Sequence, residues 1–256
     1  PYMYYSTYHW KKLVNGFSGY FPPAYLIIKN SMENFPSSVS INNLRGINTN
    51  YVIIHSADYE KKEWEKLQNK ISEFEKALHF VKKFETDYVY ELVHESGKEE
   101  YQKKIKFEKI QRNKWVAYSN KNQNNVPLAF DGDVNTRWSS KEPQSPGTFF
   151  MLDLGSHSKI DKLTITLKKH FFDYPRGYVV EASSDGITWE QIGGEIDFHP
   201  SAISFVENPK NPEFELRISP VNCRFLKIIQ TGKSRVFYWS INEINVFGEI
   251  FNSKNR

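Results

Sequence analysis

Two carboxylates set around a glycine, Asp131-Gly132-Asp133, are followed by a hydroxyl at Thr136, and a distant second acidic position, Glu243, opens an alternating run through Ile244, Val246 and Phe247. A glycine between aspartates readily takes a positive φ, so the first segment is a turn that gathers oxygens. The second is a strand with a carboxylate at its start. Hard cations such as Ca²⁺ take six to eight oxygens from carboxylates, hydroxyls and carbonyls, so a fold that brings these two segments together lets them share one ion. Taken alone, the same residues also make an ordinary hydrogen-bonded turn.

The surroundings of these segments carry a resemblance. Ala-Phe-Asp-Gly-Asp-Val-Asn-Thr-Arg-Trp-Ser-Ser from 129, Gln-Ser-Pro-Gly from 144, Met-Leu-Asp-Leu-Gly from 151, Tyr-Val-Val-Glu-Ala-Ser-Ser-Asp-Gly-Ile-Thr-Trp from 178 and Trp-Ser-Ile-Asn-Glu-Ile-Asn-Val-Phe from 239 stand in order. By these blocks, residues from about Asn113 to Ile250 resemble the coagulation factor V/VIII type C (discoidin) domain and its bacterial relatives among family 32 carbohydrate-binding modules. The resemblance implies an eight-stranded antiparallel jelly roll, galactose-binding-like, with adjacent N- and C-terminal ends. It implies a structural Ca²⁺ held by the Leu128 carbonyl, the Asp131 carboxylate, the Asp133 carbonyl, Thr136, the Asn242 carbonyl and Glu243.

The resemblance also places a ligand face on loops at one end of the sandwich, here Ser139–Gln144, Lys169–Tyr174 and Lys233–Tyr238. Aromatic rings cover the apolar C–H face of a pyranose while Arg and His hydrogen-bond its hydroxyls. On that chemistry Phe172 and Tyr238 are the stacking platforms, and Arg235 and His170 the polar anchors, for a neutral or acidic glycan or polysaccharide. The plainer reading makes the aromatic residues rim or core packing and His170 a solvated loop histidine. Galactose-binding relatives often carry His directly after the equivalent of Trp138, where this chain has Ser139.

With 256 residues the chain accommodates two ordinary domains. The expectation is an N-terminal small α/β sandwich over 1–100 and a C-terminal all-β antiparallel jelly-roll sandwich over 101–256. A formal net charge of +4 without a basic stripe argues against nucleic acid as a partner. One cysteine, Cys223, excludes an internal disulfide and reads as a buried strand residue. No apolar run reaches the length of a membrane span. Nucleophile elbows, zinc-ligand pairs and phosphate-binding glycine loops are missing from the sequence, which points to a binding module rather than an enzyme.

Along the first hundred residues, Tyr2–Thr7 reads as an aromatic strand, Gly16 and Gly19 break the chain, and Pro22-Pro23 opens a helix over Ala24–Phe35. Ser37 or Ser38 caps a second short helix ending near Gly46, Tyr51–Ile54 is a buried strand, and Asp58 is an N-cap. Trp64, Leu67, Ile71, Phe74, Leu78 and Val81 then predict one long helix, followed by a strand over Tyr88–Val93. The polar run His94–Glu100 marks a boundary, and Lys104–Ile110 an extended lead.

The segment Ser6–Pro23 is similar to soluble C-terminal tails of bacterial multi-span membrane proteins related to lipid-linked-sugar glycosyltransferases. That similarity implies an extracytoplasmic fragment tethered through a membrane portion, and the start at Pro1 in an apparent strand fits a piece of something longer. Two further function classes follow. Lys168-Lys-His-Phe-Phe172 suits an anionic membrane surface, as in phosphatidylserine-binding discoidin loops. His9, Trp10 and Asn15 suit an accessory region presenting a lipid-linked sugar to a catalytic partner.

Overall fold

The computed structural model describes residues 13–14, 23–94 and 108–250. The Tyr2–Thr7 strand, Gly16, Gly19, His9, Trp10, Asn15 and the polar run beyond His94 lie outside the described residues. The chain forms two compact units, one of residues 1–104 with 201–206 and one of 105–200 with 207–256.

The first unit contains helices α1 (Pro23–Met32), α2 (Ser38–Gly46) and α3 (Lys61–Ser72) and strands β1 (Tyr51–His55), β2 (Leu78–Phe84) and β3 (Asp87–Leu92). The strands make one antiparallel sheet in the order β1-β3-β2. Ser37 caps α2 as its sequence predicts, accepting a hydrogen bond from the Ser40 N–H at 3.2 Å while Ser40 Oγ accepts from the Ser37 N–H. A piece of α4 (Ala202–Glu207) belongs to this unit, where the Ala202 N–H donates to Asn43 Oδ1 at 2.9 Å.

Three local expectations are corrected. The long helix stops at Ser72, because Leu78 and Phe80 satisfy a strand's alternation as well as a helix's spacing and gain a partner in β3, with Leu78 opposite Leu92. Asp58 closes a 3₁₀ turn instead of capping α3; the cap is Glu60, whose N–H is met by the Glu63 side chain at 3.3 Å. Strand β1 is not buried throughout, since Ile54 is 6% exposed but Ile53 48%, the alternation of a sheet covered on one face. On the covered face Trp64 of α3 packs on Tyr88 with ring centroids 4.6 Å apart.

The second unit is all-β and antiparallel: β4 (Val116–Ser119), β5 (Trp138–Ser139), β6 (Phe149–Thr166), β7 (Tyr178–Ser183), β8 (Glu190–Glu195), β9 (Glu213–Leu216), β10 (Val221–Gln230), β11 (Ser240–Ile241) and β12 (Glu243–Ile250). A seven-stranded sheet follows the path β12-β6-β10-β7-β8, with β4 and β9 also on β6, and β5 pairs β11 separately. Nine strands are described where eight were expected, because β5 and β11 form their own two-residue ladder. Strand β6 is 18 residues long. Its first part pairs with β4 and β10, its last with β12 and β9.

The core of this unit is aromatic at one end. Trp138 and Trp239 are fully buried and meet edge to face at 5.1 Å, and Trp138 meets Phe150 at the same distance. Such pairs contribute about 0.5–1.5 kcal/mol beyond their buried area. Cys223 is buried on β10 and its thiol is pushed up to about 12 by that burial, so it is a packing residue. The start of the unit meets its end: the Ile110 N–H donates to Val246 O at 2.9 Å and the Gly248 N–H to Glu108 O at 2.8 Å. A register shift between Phe247 and Gly248 lets β12 follow β6 past this point, with Gly248 at φ +157 and no room for a Cβ beside the Lys159 carbonyl.

Candidate functional site

A 3₁₀ turn over Gln123–Ala129 delivers the chain into the Asp131–Thr136 loop. The loop folds on its own carboxylates. Asp131 Oδ1 accepts from the Asp133 N–H at 2.9 Å, and Asp133 Oδ1 accepts from the Asn135 N–H at 2.9 Å and its side-chain amide at 2.6 Å. The Asn135 bonds hold the Asp133 carboxyl below the usual carboxylate range.

The Thr136 hydroxyl then lies 2.7 Å from Asp131 Oδ2, 2.8 Å from Asp133 O and 3.4 Å from Leu128 O. A hydroxyl has one proton to donate, so the remaining contacts set oxygen against oxygen. That convergence is the donor set of a hard cation, and these residues fit Ca²⁺. The closing strand is pinned to the same loop, for the Asn242 amide donates to Val134 O at 3.0 Å and Thr136 O at 2.8 Å.

Glu243 Oε1 accepts from the Gly132 N–H at 2.8 Å, while its other oxygen is taken by Arg112. The Arg112 guanidinium also reaches the Asn245 side chain and, at 2.8 Å, the Ile244 carbonyl. Burial raises the Glu243 carboxyl above its ordinary range despite the opposing pull of Arg112. Among the described residues no group of three or more His, Cys, Asp or Glu is placed to hold a metal ion. Arg112 was missed from the sequence, where nothing local marks it as the partner of a residue on the last strand.

The loops expected to form a ligand face converge on Gln144, which is 4% exposed. Its Nε2 donates to Tyr174 O at 2.9 Å and Tyr238 O at 2.7 Å, and its Oε1 accepts from the Arg176 N–H at 2.9 Å and Gln230 Nε2 at 2.8 Å. Its own N–H donates to Phe237 O, and its carbonyl accepts from the Ser234 N–H, both at 3.1 Å. One buried amide thus ties together the loops after β5, after β6 and after β10. A second tie is Asp173, whose Oδ2 accepts from Ser240 Oγ at 2.7 Å and lies 3.6 Å from Arg137. Burial raises the Asp173 carboxyl above its ordinary range.

On this frame His170 and Arg235 are exposed, Phe172 is half-buried and Tyr238 is 39% exposed. Phe172 meets Phe237 with ring centroids 5.3 Å apart, and Tyr238, the other ring expected as a platform, follows Phe237 on the same loop. Arg176 was also missed. Its guanidinium sits 3.8 Å from the Tyr174 ring centroid and 5.1 Å from that of Phe237, donating to Phe172 O at 2.8 Å and Tyr174 O at 3.0 Å. Tyr174 itself is core at 3% exposure. The sign that would have found Arg176 is its place after Tyr174-Pro175, where a long cation has rings on which to lie.

The family model for the F5/8 type C domain matches residues 113–244. The chain belongs to that family. Among solved structures, the F5/8 type C unit is similar to the module CpGH89CBM32-5 from Clostridium perfringens, in complex with GalNAc-β-1,3-galactose, at 19% identity over 55% of this chain and 100% of that one, TM-score 0.44. It is similar to the family 32 module of NanJ from C. perfringens, in complex with galactose, at 17% identity over 56% and 99%, TM-score 0.43. A mutant of chitosan-binding module 1 from a Paenibacillus sp. IK-5 chitosanase/glucanase aligns at 18% identity over 56% and 100%, TM-score 0.44. No curated protein sequence matches the chain.

Proposed function

We propose that the F5/8 type C unit is a non-catalytic carbohydrate-binding module of an extracytoplasmic protein. Glycan binds at the loop end, with Phe172, Phe237 and Tyr238 as ring platforms and His170 and Arg235 as hydrogen-bonding groups. The observation that carries this reading is the tie through Gln144: exposed rings stand on loops already fixed by a buried side chain, so little ordering is lost when a sugar arrives.

A shallow site of this kind covers one or two rings, and the single-site dissociation constant is expected near ~0.1–1 mM. Tyr238→Ala, Phe237→Ala and Arg235→Ala should each abolish retention on a glycan column while leaving the melting temperature within a few degrees, because these side chains are exposed. Unfolding of these variants would make the residues core and move the site elsewhere. Wild-type protein that ignores every glycan yet pellets with anionic liposomes would replace this reading by the membrane-surface one.

The same proposal includes a structural Ca²⁺ held by the Leu128 and Asp133 carbonyls, Asp131, Thr136, the Asn242 carbonyl and Glu243, the last shared with Arg112. The cation neutralises the oxygens gathered at Thr136 and fastens the loop to the closing strand. Chelation should therefore lower the melting temperature of this unit; free Ca²⁺ at about a hundredfold excess over its dissociation constant contributes about 2.7 kcal/mol. Superimposed melting curves with chelator and with millimolar Ca²⁺, and no metal found on analysis, would reduce the site to a hydrogen-bonded turn.

A further inference from the structure

The net charge of the chain is concentrated at one place. Residues 139–148, 168–177 and 231–238 hold six cationic side chains, Lys141, Lys168, Lys169, Arg176, Lys233 and Arg235, against two carboxylates, Glu142 and Asp173. That excess equals the +4 of the whole chain, so everything outside the ligand loops is balanced. Both carboxylates are already engaged. Glu142 pairs with Lys121 at 2.7 Å, and Asp173, 7% exposed, holds Ser240 and faces Arg137.

The surface offered to a ligand is therefore positive. Lys141, Lys169, Lys233 and Arg235 are exposed, and none of them makes an ion pair among the described residues. Beneath them Arg176 gives its hydrogen bonds to the carbonyls of Phe172 and Tyr174 and underlies the Phe237 ring, with the Asp173 carboxylate, which also faces Arg137, as the acidic group in its field. A guanidinium and ammonium groups around an aromatic pair suit a sugar ring that itself carries a carboxylate.

We propose that this site selects acidic polysaccharide, a uronate-bearing chain whose carboxylates meet Arg235 and Lys233 while a ring face lies on Phe172 and Phe237. The proposal rests on the glycan reading above and adds the charge of the ligand to it. One exposed ion pair is worth little, but a polymer repeats its carboxylate at every acidic ring and meets cations spread over three loops at once. A bilayer is the poorer partner, because Val236, at 73% exposure, is the one large hydrophobic side chain of these loops more than half exposed, while Phe237 and Tyr238 are 36% and 39% exposed.

Affinity electrophoresis of the full chain in polygalacturonate, and in the same polymer fully methyl-esterified, tests the assignment on one backbone with and without charge. Polygalacturonate should retard the protein, with binding about tenfold or more weaker to the ester and falling as salt shortens the screening length. The double variant Lys233→Gln with Arg235→Gln should lose about tenfold in affinity for the acid form while its melting curve stays in place.

Equal retardation by acid and ester would overturn the acidic assignment and leave the glycan reading standing. Binding to dextran sulfate without binding to polygalacturonate would overturn the carboxylate. Failure with both polymers and with a panel of neutral glycans, together with pelleting on phosphatidylserine vesicles, would overturn both readings.

Discussion

Replacing Gln144 by leucine is expected to destabilise the F5/8 type C unit by about 3 kcal/mol or more and to abolish glycan retention. The side chain fits the volume, but its removal strands two carbonyls, Tyr174 O and Tyr238 O, and two donors, the Arg176 N–H and Gln230 Nε2. Each buried group left without a partner costs about 1–3 kcal/mol, and water at the loop end recovers part of that. For a unit of this size the loss corresponds to a fall of about 10 °C in melting temperature. Calorimetry and a glycan column read the two effects together. A Gln144→Leu protein that melts with wild type and still binds would mean that the loops hold their positions without the amide.

Gly248→Ala is expected to have the largest effect on stability, more than about 4 kcal/mol. A Cβ at this position would stand 1.8 Å from Lys159 O and 2.9 Å from its carbonyl carbon, and φ is +157. No rotamer relieves that contact, because the obstacle is the backbone of the neighbouring strand. The β12–β6 ladder would have to open at its register shift, releasing the closing strand that carries Asn242's neighbour Glu243 and the Arg112 anchor. The expected result is loss of soluble protein, or a broad unfolding transition at a much lower denaturant midpoint. A variant with an unchanged midpoint would show that the ladder yields there at no cost.

The parts of the molecule that were legible in the sequence are those whose chemistry is local. Asp131, Asp133 and Thr136 sit in one turn, and their spacing alone announces a loop of oxygens. Ser37 announces a cap because its partner is three residues away. The end of α3 was not legible, because Leu78 and Phe80 obey two periodicities and only the presence of β3 chooses between them. Arg112 and Glu243 are 131 residues apart, and nothing around either names the other. Gln144 was visible as the first residue of the Gln-Ser-Pro-Gly block that carries the family resemblance, yet its work depends on three loops whose meeting is a property of the sandwich. Phe237 and Tyr238 are adjacent aromatics, and the course of the loop decides which of them turns toward Phe172.

Strand β6 has a consequence for how this unit comes into being. Its 18 residues are flanked by β4 near the start of the unit, but by β9, β10 and β12 only from residue 213 onward. On a ribosome, which delivers the chain from its N-terminus, β6 emerges long before those partners and must wait with its edges unpaired. Pairings between such distant segments are slow to form, and an apolar strand with open edges is a surface on which nascent chains adhere to one another. The ladder that makes the finished sandwich continuous is thus also the interval of synthesis in which a holdase would shield it.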